Sequence, residues 1–123
     1  MSEELRFSKD HEWVRVEEDG TAVVGVTDFA ANQLGDVVYV DLPEVDAAIS
    51  AGDEMGEIES TKSVSDLFSP IDGTVTEVNQ AVVDEPELVN SDPFGQGWLI
   101  RASFDALPDD LLNADQYSQL TQD

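Results

Sequence analysis

Short β-patterned runs, each closed by turn residues, succeed one another through the first hundred residues, and few architectures accept such a pattern. "EWVRV" (Glu12 to Val16) alternates apolar and polar, Asp19 and Gly20 supply a turn, and "TAVVGV" (Thr21 to Val26) follows, which predicts a hairpin. "TDFAANQLGD" predicts one short helix: Thr27 and Asp28 are capping residues, Phe29, Ala30 and Leu34 fall near helical spacing, and Gly35 is the stop. "VVYVDLP" reads as a strand ending at Pro43, and the turn Gly52–Asp53 leads into a second strand through "EMGEIES". "VSDLFS", the turn "SPIDG" and the strand "TVTEV" come next.

Pro86 marks a helix start, and "GWLIRASF" (Gly97 to Phe104) predicts a last strand. In "NADQYSQL", Asn113 and Gln116 fit a capping box, with Tyr117 and Leu120 on one helix face; the apolar stripe Leu111, Leu112, Tyr117 and Leu120 is expected to dock terminal helices on the sheet. The turn-plus-strand units around Gly52 and Gly73 suggest an internal two-fold duplication. The expected fold class is mainly β, a sandwich or barrel with small helices added. With 123 residues and a 41% hydrophobic fraction, one domain spanning residues 1–123 is expected, with no second catalytic domain.

Twenty-eight acids against five basic residues give a formal charge of −23. Such a field opposes binding to nucleic acid or anionic lipid. The acids are interleaved with valines and aromatics, as in "EEDGTAVVGVTDF", so an acidic surface on a folded domain is expected, not disorder. Salt screens self-repulsion of that kind, which points to a halophilic source. No charged leader precedes an apolar segment and no uncharged apolar run approaches the ~20 residues of a spanning helix, so a cytoplasmic location with no membrane partner is expected. The lack of cysteine excludes disulfides, thiolate metal sites and cysteine nucleophiles.

Candidate chemistry narrows quickly. His11, the single histidine, stands between Asp10 and Glu12, but neighbours on a strand face opposite ways and no G-x-S-x-G elbow exists, so a histidine hydrogen-bonded near a strand start is the expectation. Metal ligands are limited to scattered carboxylates without an EF-hand loop, and loose cation association is all they imply. "GQGW" lacks the third glycine of a dinucleotide fingerprint and reads as a tight turn; Trp13 and Trp98 read as core. Lys62 remains. One of only two lysines, the other being Lys9, it sits in the polar "STKS" between two strand-like flanks, where a hairpin tip exposes a long nucleophilic stem to a modifying enzyme. A catalytic Schiff-base lysine needs burial instead. A merely solvated turn lysine is the alternative reading of the spacing.

"GEIESTKSVSDLFSP" resembles the lipoyl-attachment segment of glycine cleavage system H proteins, with E-S-x-K-[AS] followed by S-D and S-P. "KDHEWVRVE", "GVTDFAANQLGDVVYVDLPEVD", "PELVNSDPFGQGWLI" and the acidic helical tail are similar to the same family, in order, along nearly the whole chain. The resemblance implies a barrel-sandwich hybrid of the lipoyl/biotinyl-carrier type and lipoate amide-linked to Lys62. It implies a carrier, not an enzyme, that shuttles the aminomethyl group of glycine from a pyridoxal-phosphate glycine decarboxylase to aminomethyltransferase and is reoxidised by dihydrolipoyl dehydrogenase. A lipoate ligase or lipoyl-transfer enzyme would load it. Glu12 and Asp66 match acids of the cleft that holds the loaded arm, against the plainer readings of a solvated acid and a turn-side residue. The rivals are a lipoyl domain serving a 2-oxoacid dehydrogenase, which typically reads D-K-A and is joined to catalytic domains; a lipoyl donor to other enzymes; a biotin carrier, whose lysine sits between methionines whereas Met55 is seven positions away; and an unmodified acidic protein-binding β-domain.

Overall fold

The computed structural model of the chain describes residues 5–9, 11–17, 19–104, 107 and 111–121. In chain order the elements are β1 (Leu5–Phe7), β2 (Glu12–Val16), β3 (Thr21–Val26), α1 (Asp28–Leu34), β4 (Val37–Asp41), β5 (Ala48–Ile49), β6 (Glu54–Ser60), β7 (Val64–Phe68), β8 (Gly73–Val78), α2 (Gln80–Asp84), α3 (Leu88–Ser91), β9 (Ile100–Phe104) and α4 (Ala114–Thr121). Strands dominate, as the run of short alternating segments predicts. They form a six-stranded sheet in the order β1-β2-β3-β9-β8-β5 and a three-stranded sheet in the order β4-β6-β7, with every pairing antiparallel.

The main core lies between the sheets, where Val14, Val24, Ile100, Ala102 and Val75 from the larger sheet meet Val40, Ile58 and Leu67 from the smaller one. Branched aliphatic side chains suit this position because they fill a pleated surface with little rotamer entropy to lose. The larger sheet is covered on its other face as well. Phe7, Trp13 and Val23 gather there around Tyr117 of α4, and the Trp13 indole N–H donates to the Pro93 carbonyl at 3.0 Å. This explains why Trp13 and Val14, adjacent on β2, are both fully buried although successive strand residues face opposite ways.

The predicted β2–β3 hairpin forms with Val14 opposite Val24 and Val16 opposite Ala22. The Thr27 hydroxyl caps α1 by accepting the Ala30 N–H, and the Gly35 N–H closes the helix on the Ala31 carbonyl. The capping box is reciprocal: Asn113 Oδ1 accepts the Gln116 N–H at 2.8 Å and Gln116 Oε1 accepts the Asn113 N–H at 3.0 Å.

Several sequence expectations need correction. The strand of "VVYVDLP" stops at Asp41, before Pro43, and the last strand starts at Ile100, because Gly97 belongs to a turn whose amide is bound to the Asp92 carbonyl. The helix expected at Pro86 begins at Leu88, after a residue 87 that makes no side-chain cap. Helix α2, whose cap is Asn79, and the short edge strand β1 carry too few periodic residues to be seen in the sequence.

The terminal stripe does not hold together either. Tyr117 is buried, Leu120 is 48% exposed, and Leu112 sits in an extended bridge with Phe7, outside any helix. The two glycines offered as a repeat are also unlike one another. Gly52 has φ +87 and open space around it, whereas a Cβ on Gly73 would meet the Ser103 carbonyl oxygen; the glycine with matching surroundings is Gly56, packed on the Asp41 carbonyl. Asp10 lies outside the described residues.

Candidate functional site

The β6–β7 connection is a four-residue turn, Ser60 to Ser63, and its backbone is held by one side chain. Ser60 Oγ accepts the N–H of Lys62 at 3.2 Å and of Ser63 at 3.1 Å, while the Ser60 N–H donates to the Ser63 carbonyl at 2.8 Å. Small hydroxylated residues serve here because they substitute for backbone partners that a tight turn cannot offer. The Thr61 N–H donates to the Asp36 carbonyl at 3.0 Å, which fixes the turn to the corner after α1. Lys62 itself is exposed. Its aliphatic stem runs across Gly35, where a Cβ would stand 3.2 Å from Lys62 Cε. The turn is therefore rigid while the amine at the end of the stem is open to solvent.

Beside this turn is a cleft of about 620 Å³ between α1, the start of β2 and strand β7, a size within the roughly 300–1,000 Å³ usual for small-molecule sites. Its apolar wall comes from Val26, Phe29, Ala30, Leu34, Ile58 and Leu67, and its polar groups from Lys9, His11, Glu12, Gln33, Ser65 and Asp66. Leu34, which precedes the glycine under the Lys62 stem, and Ser65, three residues after the lysine, both line the cleft.

The structure brings both sequence-predicted acids to this cleft, in different states. Glu12 shares the core face of β2 with Val14 and is only 2% exposed, which overturns the reading of a solvated acid. Its carboxylate is supported: Oε1 accepts from Ser8 Oγ–H at 2.6 Å, and Oε2 faces the Phe68 N–H at 3.4 Å. Ser8 Oγ also accepts the Glu12 N–H at 3.1 Å, so one serine fixes both the backbone and the side chain. A carboxylate buried with such donors is pre-positioned as an acceptor.

Asp66 is exposed at the rim. On β7 it pairs across from Glu57, and with Glu54 the three carboxylates converge on the outside of the small sheet, each offering an oxygen within 4.8 Å of the others. The negative charge of Asp66, then dehydration, the charge of Glu57, a hydrogen bond that the protonated Glu54 carboxyl donates to Asp66, and the charge of Asp41 push the Glu54 carboxyl above its ordinary value.

Sequence reasoning missed the role of His11 in this wall. The residue precedes β2 with φ +70, in the left-handed region uncommon for side-chain-bearing residues. Its ring lies 4.7 Å from that of Phe29, and its Nδ1 is 2.8 Å from the Tyr117 hydroxyl, so the expected hydrogen bond near a strand start is present. Phe29 and Gln33 were legible only as helix residues; their spacing, four apart on α1, is the signal that they share a face.

Comparison with known proteins places these features in context. Residues 5–123 match the family model described as glycine cleavage H-protein. A glycine cleavage system H protein of Thermobifida fusca is 56% identical over 119 residues, covering 97% of this chain and 94% of the relative. One from Escherichia coli is 50% identical over 122 residues, covering 98% and 95%. Among solved structures, a crystal structure of a glycine cleavage system H protein from Mycobacterium marinum superposes with a TM-score of 0.89 at 42% identity, covering 97% of each chain.

Proposed function

Because the chain belongs to the glycine cleavage H-protein family, whose members carry lipoate on a lysine, we propose that Lys62 is the attachment lysine and that the cleft walled by Glu12 and Asp66 receives the loaded arm. The protein is a lipoyl carrier of the glycine cleavage system. Lipoate, when attached, supplies the disulfide–dithiol couple on which the amine-bearing one-carbon cargo from glycine travels. The observation that carries the reading is the fixed turn whose exposed lysine lays its stem across Gly35, the residue after Leu34 of the cleft wall.

The chain's own residues supply position and environment. Ser60 and the Thr61–Asp36 bond hold the base of the stem, so the arm's reach is set by its length and not by loop motion. Tethering then replaces free diffusion, and the cargo meets each partner at an effective concentration in the millimolar range for short flexible links. Phe29, Leu34 and Leu67 offer apolar surface that excludes water. Glu12, buried and held by Ser8, accepts a hydrogen bond from a cationic amine more strongly than a solvated carboxylate does, and Asp66 adds negative charge at the rim.

In this reading residues 1–123 act as one carrier domain that makes and breaks no bond by itself. It visits glycine decarboxylase, aminomethyltransferase and dihydrolipoyl dehydrogenase, after loading by a lipoate ligase or lipoyl-transfer enzyme. Intact-mass measurement tests the assignment in cells replete with lipoate. The native chain and Lys9→Arg are expected to show one lipoyl-amide increment and Lys62→Arg none. An increment that persists in Lys62→Arg would reject the assignment, a biotin increment would favour that rival carrier, and an unmodified native chain would favour the protein-binding β-domain.

A further inference from the structure

Two buried hydroxyls and a histidine ring form a hydrogen-bonded chain. Thr27 is fully buried, and its Oγ1 has two partners: the Ala30 N–H at 3.2 Å, which it accepts, and the Tyr117 hydroxyl at 2.7 Å. Among the described residues, the Thr27 O–H therefore has one acceptor, the Tyr117 oxygen, since a buried hydroxyl hydrogen without an acceptor is costly. With that oxygen already receiving a hydrogen from Thr27, the Tyr117 O–H is directed to its other partner, His11 Nδ1, at 2.8 Å. Burial is the largest effect on the Tyr117 phenol and pushes it above its ordinary value, so it remains a donor near neutral pH.

We infer that Tyr117 is a positioning residue for the cleft: the relay Ala30 N–H to Thr27, Thr27 O–H to Tyr117 and Tyr117 O–H to His11 Nδ1 fixes His11 as the uncharged Nε2–H tautomer on the cleft wall. Its meaning for the carrier rests on the arm-binding reading of that cleft. The relay joins three elements distant in sequence. Helix α4 supplies Tyr117, the cap of α1 supplies Thr27, and the turn before β2 supplies His11, whose carbonyl also accepts the Thr27 N–H at 3.0 Å. The phenol ring is seated independently by stacking on Phe7, with centroids 4.6 Å apart and planes 11° from parallel. A ring whose Nδ1 accepts from Tyr117 places no positive charge on the wall where a cationic amine is to rest.

Histidine ring nitrogen spectra of the full-length, unmodified chain test the relay, and the single histidine makes the signals unambiguous. At pH 8 the native chain is expected to show the Nε2–H tautomer alone. Tyr117→Phe keeps the stacking ring and removes only the hydroxyl; a measurable Nδ1–H fraction is expected to appear. A native ring protonated on Nδ1, or a tautomer ratio that Tyr117→Phe leaves unchanged, overturns the inference. Should that variant fail to fold, the native spectrum and Thr27→Val, which removes the donor to Tyr117, decide the matter. The failure of the arm reading is separable: with lipoylated, amine-loaded protein, a shifted tautomer and an unchanged lifetime of the bound amine would leave the relay standing and remove the cleft's role.

Discussion

Glu12 shows how far a single residue can be read. The alternation Glu12, Val14, Val16 on one strand face puts a carboxylate in line with apolar neighbours, so its burial was available from the period of two. Its hydrogen bond from Ser8 was not, since that contact depends on the turn that brings Ser8 back over β2. Asp66 alternates with buried Leu67 and is exposed as the pattern demands, but only the approach of β7 to α1 gives it a cleft to border. Together the two acids are expected to shield a loaded amine. In Glu12→Ala, Asp66→Ala the aminomethyl cargo should be released faster than from the native carrier, by roughly tenfold if about 1.4 kcal/mol of charge-assisted bonding is lost; a lifetime equal to native, measured by mass spectrometry over time, rejects the shielding role.

Helix α1 is the element on which the site is built. One end is capped by Thr27, which belongs to the relay, and the other closes at Gly35, which carries the Lys62 stem. Gly35 has φ +81 and ψ −157, a region essentially confined to glycine. Gly35→Ala is thus expected to cost about 1–3 kcal/mol in urea unfolding, with the lysine stem displaced from its track. Unchanged stability would show that the corner relaxes freely. The helix, its cap and its glycine stop were all legible in "TDFAANQLGD", because capping chemistry and helical spacing are local. Helix α2 was hidden, since five residues give no usable period, and Leu120 was misplaced because helical spacing shows which residues share a face but not how much of that face is covered.

At the scale of the whole molecule, the chain carries 28 acids against five basic residues, and its two sheets share one apolar core. Among the described residues no helix is long and apolar enough to cross a membrane. Among the described residues Arg15 and Arg101 pair with acids, and the formal charge of the chain is −23. Arg15 and Arg101 both engage Glu17, at 2.9 and 3.7 Å, and Arg101 also reaches Glu77 at 3.3 Å. Unscreened repulsion should therefore weigh on the fold in dilute buffer, and the melting temperature is expected to rise between dilute buffer and 1 M KCl, where the Debye length falls to roughly 3 Å. A flat or falling melting temperature would dismiss the halophilic expectation.

The sequence by itself determined the class of fold, the β2–β3 hairpin, helix α1, the capping box and the scarce lysine at a turn, since each rests on residues within a few positions of one another. Only the tertiary structure decided what that lysine stands beside. The cleft exists because β7, α1 and the turn before β2 converge, and the state of His11 follows from Tyr117, 106 positions away. Contacts at such separation depend on how two sheets and a terminal helix pack, which no local pattern of residues encodes.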